Sequence, residues 1–312
     1  MSRALILLLF LALAAIPLVA GEFYVNLATQ ILIAAVFALS LNLLVGYGGL
    51  TSLGHASFLG ISAYACAWLS TRAELGPGAA TVIALIVTTV MAGAFGLIAL
   101  RATGLGFLMI TLALSQVLWG LAYRWVGVTN GDNGMSGVTR PSPFGLSLGG
   151  AGAYYWFTLI VSVAAFVLMT IFVRSAFGAA LRGTRDQPRR MAALGHNVWM
   201  IRWLTFVTAG FWAGVAGILY IYYHTYIHPT SLAIGSSAEA LLSVIAGGAG
   251  ALSGPIIGAA LLVLLKNYAS AYIERWNMLL GFIFVIIVLV APEGIVPGVR
   301  RLLARLREKG AK

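Results

Sequence analysis

Side chains that could do chemistry are few in this 312-residue chain, which has 8 Asp and Glu, 4 His and 1 Cys. His224 and His228 are four residues apart, and two histidines at this spacing can share a metal ion. They end a long apolar run and precede Pro229, however, where histidines and aromatic residues are ordinary at a membrane interface. No Ser-His-Asp order, carboxylate pair or Cys/His cluster accompanies them. We therefore expect neither an enzyme nor a metal site.

Nucleotide chemistry is not expected either. A phosphate-binding loop of the form Gly-x4-Gly-Lys-Ser/Thr needs a lysine. The lysines are Lys266, Lys309 and Lys312, and none stands in such a motif. We expect no cofactor on this chain. Cys66 lies in an apolar segment with no second cysteine to pair with, so we interpret it as a small packed hydrophobe.

The composition is that of a membrane protein. Hydrophobic residues make up 61% of the chain and charged residues 9%, against about 25% charge in a soluble domain. We predict a single all-α polytopic domain over residues 1–312. The net charge of +11 does not indicate nucleic-acid binding, because the basic residues lie beside apolar spans and act as topology signals.

We predict about eight transmembrane helices from windows long enough to cross the hydrocarbon. Residues 1–21 could instead form a signal peptide with Arg3 before its apolar run, but the cleavage site in "PLVAGEF" is poor, so we favour a retained helix. The windows are Ala4–Ala20, Tyr24–Val45, Leu50–Ser70, Ala79–Leu100, Leu105–Tyr123, Ala153–Val173, Trp203–His224 and Met278–Ala291.

Basic residues concentrate around Arg3, in a loop over residues 174–202 and in a tail over residues 299–312. The positive-inside rule places all three in the cytoplasm, with both termini. Counting crossings between them requires the segment Glu239–Lys266 to start and finish on the same side of the membrane.

The stretch "LLSVIAGGAGALSGPIIGAALLVLL", Leu241–Leu265, fits that requirement. It begins and ends like a membrane helix, but glycines and Pro255 interrupt its middle. The segment is too short for two crossings of about 20 residues each. We predict a hairpin of two half-helices turning at "GGAGALSGP"; a tilted full span is the alternative. A turn at membrane depth must be buried in protein or line a watery cavity.

A second interruption, "GYGGLTSLGHASFLGISAY" over Gly46–Tyr64, carries a similar Gly-Gly pair followed by Leu and Gly. Paired interruptions in two halves of a chain are typical of transport pathways. The alternative is that the glycines only allow close helix packing, and that His55 is a packed neutral histidine. The predicted pathway residues are Gly48, Gly49, Ser52, His55, Gly247, Gly248, Gly250, Ser253, Gly254 and Pro255.

Four blocks follow one another along nearly the whole chain: "LSLNLLVGYGGLTSLGHASFLGISAYA", "TLALSQVLWGLAYRWVGVTNGDNGMSGV", "RDQPRRMAALGHNVWMIRWLTFVTAGFWAGVAGILYIYYHTYIHP" and "SAEALLSVIAGGAGALSGPIIGAAL". In this order they make the chain resemble the permease subunits of branched-chain amino acid (LIV-type) ATP-binding-cassette importers. The resemblance implies a bacterial inner-membrane protein with ATP-binding-cassette subunits, a second permease, a solute-binding protein and membrane lipid as partners. Related permeases carry urea, short amides, aromatic acids or, more distantly, simple sugars, so the solute stays open.

Such permeases dock on their ATPase through a short cytoplasmic helix with an E-A-A-x3-G pattern. Here Gly195 falls at the glycine and Arg190 and Met191 at the small residues, and Pro188 comes just before the position where glutamate is usual. The residues themselves predict a short helix with Pro188 in its first turn and Gly195 as its stop. Arginines that only anchor topology or bind anionic lipid are the alternative. The predicted coupling residues are Arg185, Asp186, Pro188, Arg189, Arg190, Leu194 and Gly195.

Two other transport classes remain as alternatives. An ion-coupled secondary transporter should bury acidic residues in its spans, whereas all eight acids here fall in loops or at span ends. A channel would leave the arginine-rich loop over residues 174–202 without a role.

Overall fold

The computed structural model describes residues 13–142, 148–272, 275–290, 294–298 and 301. The predictions that fall on residues 1–12, which include Arg3 and the start of the first span, lie outside these ranges. So does nearly all of the basic tail over residues 299–312. The described part of the first window is helical over residues 13–19, which we call α1.

Helices make up most of the described ranges, as the composition predicts. Two short 3-10 turns, Gly131–Asn133 and Pro229–Leu232, interrupt the order, and β1 (Met135–Ser136) pairs antiparallel with β2 (Tyr226–Ile227). The helices are α2 Glu22–Asn42 with a π-helical turn Leu43–Tyr47, α3 Ala56–Thr71, α4 Pro77–Ala99, α5 Leu105–Arg124, α6 Val126–Thr129, α7 Ala151–Arg174, α8 Ala176–Asp186, α9 Pro188–Ala193, α10 Val198–His224, α11 Ile234–Gly247, α12 Ser253–Tyr272 and α13 Trp276–Val290.

Five helices in the described ranges are long and apolar enough to cross a membrane. Together with the helical content they confirm an all-α, multi-pass membrane protein. They correspond to five of the predicted windows and are Glu22–Tyr47, Pro77–Ala99, Leu105–Arg124, Ala151–Arg174 and Val198–His224.

The centre of the bundle is α2, which packs against α7, α10, α11 and α12. Every residue from Ala35 to Leu44 is buried, so this helix is enclosed on all sides. The second central helix, α10, packs on α3 and α4 through small residues. A methyl group added at Gly214 would stand only 3.1 Å from Thr88 Cγ2. Small side chains of this kind let membrane helices approach closely.

The two ends of α10 define the two ends of the bundle. The loop that contains α8 and α9 leads into its first residue, Val198, and the β1–β2 ladder follows its last residue, His224. At this ladder end, the guanidinium of Arg140 donates to the carbonyl oxygens of Tyr222 (3.0 Å) and Tyr223 (3.2 Å). Arg140 thereby satisfies the free carbonyls at the C-terminus of α10. We call the opposite end, with α8 and α9, the loop end.

Two predicted spans differ from the structure. The window Leu50–Ser70 becomes a helix only at Ala56, because residues 48–55 run as a non-helical segment after the glycines that end α2. The window Met278–Ala291 is shifted slightly, to Trp276–Val290.

The segment Glu239–Lys266 folds as two antiparallel helices, α11 and α12, joined at residues 248–252. The prediction of two half-helices is wrong for the second arm, since α12 has 20 residues and α11 has 14. Lys266 and Asn267, which stand at the predicted end of this arm, both have partners, and the helix continues past them. Lys266 Nζ lies 3.2 Å from both carboxylate oxygens of Glu239, and Asn267 Nδ2 donates to the carbonyl of Val263 (2.9 Å).

Candidate functional site

The two glycine-rich interruptions meet at the loop end of the bundle. Gly46–Gly49 closes α2, Gly248–Gly250 closes α11, and we call these two segments together the glycine junction. A methyl group at Gly46 would stand 2.9 Å from Gly250 Cα, so the two backbones touch where any side chain would separate them. Gly248 has φ 112°, a conformation open mainly to glycine. The structure thus brings together the two segments that the sequence paired.

Asn42 fastens the junction from inside α2. Its Oδ1 accepts from the Gly250 amide (3.0 Å), and its Nδ2 donates to the Ala251 carbonyl (3.2 Å). Asn42 has no exposed surface, so its amide substitutes for water at the turn of the hairpin. Sequence reasoning missed this residue. The available signal was a polar side chain inside the apolar run "LSLNLL", which a membrane helix tolerates only with a partner.

Arg185, near the end of α8, reaches the same junction from the predicted coupling loop. Its Nη1 donates to the Gly46 carbonyl oxygen. Its Cγ lies 2.8 Å from where a methyl group at Gly49 would stand. Asp186 Oδ1 lies 3.8 Å from Arg185 Nε, and both side chains are well exposed, at 71% and 47%.

The coupling loop contains the short helix that the residues predict. Pro188 is the first residue of α9, which ends at Ala193. Gly195 has φ 86°, and the amides of Gly195 and His196 donate back to the carbonyls of Ala192 (3.0 Å) and Met191 (3.1 Å). This pair of hydrogen bonds around a left-handed glycine is a standard helix stop. The predicted start and stop are confirmed.

No residue of α9 is buried. Arg189 and Arg190 are exposed, and Leu194 beside them is 68% exposed. The helix therefore presents two guanidinium groups and an apolar side chain outward at the loop end. The α9 helix is attached to α8 through Met191, which packs on Gly183. An exposed helix of this composition can bind a partner through both charge and apolar contact.

The remaining pathway candidates divide into two groups. Gly247 and Gly254 lie where the hairpin arms cross, with the backbone of one against the other, and Pro255 is buried beside them. These two glycines therefore match the packing alternative. Ser253 opens α12 and is partly exposed.

Ser52 and His55 are fully buried between α2 and α3. His55 Nε2 lies 2.8 Å from Ser40 Oγ, and its ring stacks on Phe37 with centroids 5.4 Å apart. Solute could touch this imidazole only if the packing around it changed. A polar layer that the sequence did not reveal continues from here: Ser237 Oγ accepts from the Ala56 amide (3.0 Å), and Ser57 Oγ donates to Ser115 Oγ (2.9 Å).

A cleft of about 260 Å³ opens beside the junction. It lies between the non-helical segment after α2 and the first turn of α5. Backbone and apolar side chains line it together with Thr51, so the cleft carries no charge of its own. The lining residues are Gly49, Leu50, Thr51, Gly104, Leu105, Phe107 and Leu108.

The two histidines with metal-like spacing lie on different elements, with His224 ending α10 and His228 preceding a 3-10 turn. His228 Nε2 lies 3.6 Å from Asp132 Oδ1. Within the ranges that the structure describes, no three His, Cys, Asp or Glu side chains gather to hold a metal ion.

Comparison with known families decides what kind of bundle this is. Residues 23–290 match the family described as "Branched-chain amino acid transport system / permease component". The chain belongs to this family. Its matched range includes the glycine junction, the coupling loop and every helix from α3 to α13.

Relatives agree with the family. The chain is 27% identical to the high-affinity branched-chain amino acid transport system permease protein LivM of Salmonella typhimurium, covering 100% of this chain and 79% of the relative. It is 30% identical to the corresponding permease protein LivH of Escherichia coli, over 52% of this chain and 53% of the relative. The autoinducer 2 import system permease protein LsrC of Salmonella paratyphi B is 25% identical over 57% of this chain and 51% of the relative. No solved structure matches the chain.

This LIV-type permease is thus the membrane-embedded permease subunit of an ATP-binding-cassette importer. Its relatives are transport subunits, which are not enzymes themselves. The expected class, drawn from the four sequence blocks, is confirmed.

Proposed function

We propose that this permease carries branched-chain amino acids, or a similar small polar solute, across the bacterial inner membrane. A separate subunit supplies the energy by ATP hydrolysis, and the permease itself holds no cofactor. The proposal rests on one observation: helix α8 contacts both the exposed helix α9 and the glycine junction. An ATP-driven permease needs such a connection between its docking surface and its membrane path. A channel would have no use for it.

The solute class follows from the chemistry around the junction. Backbone carbonyls and amides, Thr51 and Ser253 offer hydrogen bonds without a fixed charge, and the guanidinium of Arg185 is already bound to the Gly46 carbonyl. Such a lining suits a zwitterion or a neutral polar solute, because either can shed its water for backbone groups at modest cost. The one hairpin carboxylate, Glu239, is already paired with Lys266, which disfavours coupling to protons or sodium. The likeness to LsrC keeps a sugar-like solute as the second candidate.

The partners follow from the two ends of the bundle. At the loop end, α9 with Arg189, Arg190 and Leu194 docks an ATP-binding-cassette subunit in the cytoplasm. At the ladder end, the loops around Asp132 and the β1–β2 ladder face the solute-binding protein. A second, related permease completes the membrane path. The chain acts as one domain, with both termini in the cytoplasm.

Uptake by the purified importer tests the proposal. The permease, tagged and isolated with its bound subunits, is placed in lipid vesicles with ATP inside and binding protein outside. Radiolabelled leucine, isoleucine and valine are compared with urea, acetamide, benzoate and ribose. We expect ATP-dependent uptake of the branched-chain amino acids above all others. If only one of the other solutes were taken up, that solute would be the permease's substrate. Uptake without ATP would refute ATP coupling.

A further inference from the structure

One side chain, that of Arg185, joins the coupling loop to both halves of the glycine junction. Its guanidinium donates to the Gly46 carbonyl, and the same Nη1 lies 3.7 Å from where a methyl group at Gly250 would stand. Its aliphatic stem packs on Gly49. The end of α2, the turn of the hairpin and the end of α8 therefore share a single contact point.

The carbonyl that Arg185 binds belongs to the last turn of α2, where helix carbonyls lack intrahelical partners. The helix ends here as a π-helical turn, Leu43–Tyr47, and π-turns of this kind are common at functional sites. A positive charge also interacts favourably with the C-terminus of a helix. Arg185 thus supplies both the donor and the charge that this helix end requires.

On its other side, Arg185 is carried by a firmly held helix. Arg182 of α8 donates to the Val173 carbonyl at the end of α7 (2.8 Å). Arg202 of α10 donates to the carbonyl of Thr184, the residue before Arg185 (3.2 Å). Met191 of α9 packs on Gly183 of α8. The contact between Met191 and Gly183 therefore links α9 to the helix that carries Arg185, and the two arginine hydrogen bonds fix the position of that helix against α7 and α10.

We infer that Arg185 is the positioning residue that transmits movement of the coupling loop to the glycine junction. This inference rests on the proposed ATP-driven transport. It goes further by naming the contact through which movement of the coupling loop reaches the glycine junction. In this role Arg185 acts through the backbone of the glycine junction, which it binds at Gly46. Pulling its guanidinium away would release the Gly46 carbonyl and part the two backbones that meet at Gly46 and Gly250.

The test compares Arg185→Gln with Arg185→Lys in the assembled importer. Arg101→Gln is the matched control, because Arg101 is exposed, follows α4 at the loop end, and lies in none of these contacts. The measured quantity is solute moved per ATP hydrolysed in vesicles. Arg185 is one of the predicted coupling residues, but it lies outside α9 and its guanidinium binds the Gly46 carbonyl. For Arg185→Gln we therefore expect ATPase subunits bound as in the wild type, hydrolysis within about twofold, and transport per ATP lower by roughly tenfold, the size of one lost charged hydrogen bond. Lysine should restore part of the ratio, since it keeps the charge but not the planar fork.

A second measurement needs no solute and so separates this inference from the choice of substrate. Thr51→Cys, in a Cys66→Ser background, places a thiol in the cleft beside the junction. Its maleimide reactivity should change on adding ATP to the importer, and Arg185→Gln should abolish that change while Arg101→Gln preserves it. The inference is refuted if Arg185→Gln keeps the ATP-dependent change, lowers hydrolysis and uptake in equal proportion, or loses the ATPase subunits.

Discussion

At the scale of single residues, the polar contacts that stabilise the glycine junction are the part of the site that the sequence does not predict. Gly46, Gly248 and Gly250 could be predicted, because glycines clustered in an apolar run indicate an interrupted helix. The contacts of Asn42 and Arg185 at the junction could not, since their partners lie 208 and 139 residues away along the chain. A side chain that reaches across the fold leaves no periodic trace in its own segment.

Replacing Asn42 with alanine should destabilise the junction. The Gly250 amide and the Ala251 carbonyl would lose their partner in a buried site, where an unsatisfied group costs about 1–3 kcal/mol. We expect a lower unfolding midpoint in detergent and weaker uptake. Asn26→Ala is the control, because Asn26 lines an open pocket at the ladder end. Equal midpoints for the two variants would show that Asn42 does not hold the turn.

Gly248→Leu should cost transport more than insertion. Leucine favours membrane insertion by about 0.5 kcal/mol, but φ 112° at this position is strained for any side chain. Gly235→Leu is the control, since nothing lies within 4 Å of a methyl group at that glycine. We expect normal membrane levels of both proteins and loss of uptake only for Gly248→Leu. Unchanged uptake at normal expression would place Gly248 outside the pathway.

At the scale of elements, the long apolar spans and the α9 helix could be predicted from the sequence. The points at which the spans are interrupted could be predicted only in part. Hydropathy predicts a span from Leu50, but α3 starts at Ala56 because glycines and the buried Ser52 hold the preceding segment out of helix. The sequence predicts a half-helix that is shorter than α12, because a lysine in an apolar run indicates the end of a span. In the structure Lys266 is paired with Glu239, and the helix continues beyond it. The β1–β2 ladder has two residues per strand, too few for any alternation to show.

The hairpin arms should depend on their glycines for folding rather than for transport. A methyl group at Gly258 would collide with the Ser243 carbonyl of the facing arm. Gly258→Val should therefore force α11 and α12 apart and reduce the yield of monodisperse protein in detergent. Gly281→Val, with nothing within 4 Å of a methyl group at that position in α13, should leave it unchanged. Equal yields would mean that the arms do not rely on this contact.

At the scale of the whole molecule, the chain is a bundle with a charged, exposed loop end and a ladder end joined by α10. The distribution of arginines predicts that the loop over residues 174–202 and the loop around Asp132 lie on opposite sides of the membrane. In the structure Gln187 and Asp132 lie at opposite ends of α10. The membrane orientation itself is a prediction. Thiol labelling in cells, in a Cys66→Ser background, tests it.

Gln187→Cys should react with a permeant maleimide and stay protected from an impermeant one, because we expect the loop end in the cytoplasm. Asp132→Cys should react with both reagents from outside. Both positions are exposed, so lack of labelling cannot come from burial. Labelling of the two cysteines from the same face would contradict the crossing count.

The most direct test of the central claim, that α9 docks an ATPase, is charge reversal on that helix. Arg189→Glu with Arg190→Glu replaces two positive charges with two negative ones at the proposed interface, where like-charge contacts cost several kcal/mol. Arg300→Glu with Arg301→Glu makes the same change in the basic tail. Both proteins should insert, since other arginines keep the cytoplasmic bias. We predict that the ATPase subunit no longer co-purifies with the α9 variant and still co-purifies with the tail variant. The reverse result, ATPase lost from the tail variant and kept by the α9 variant, would contradict the account.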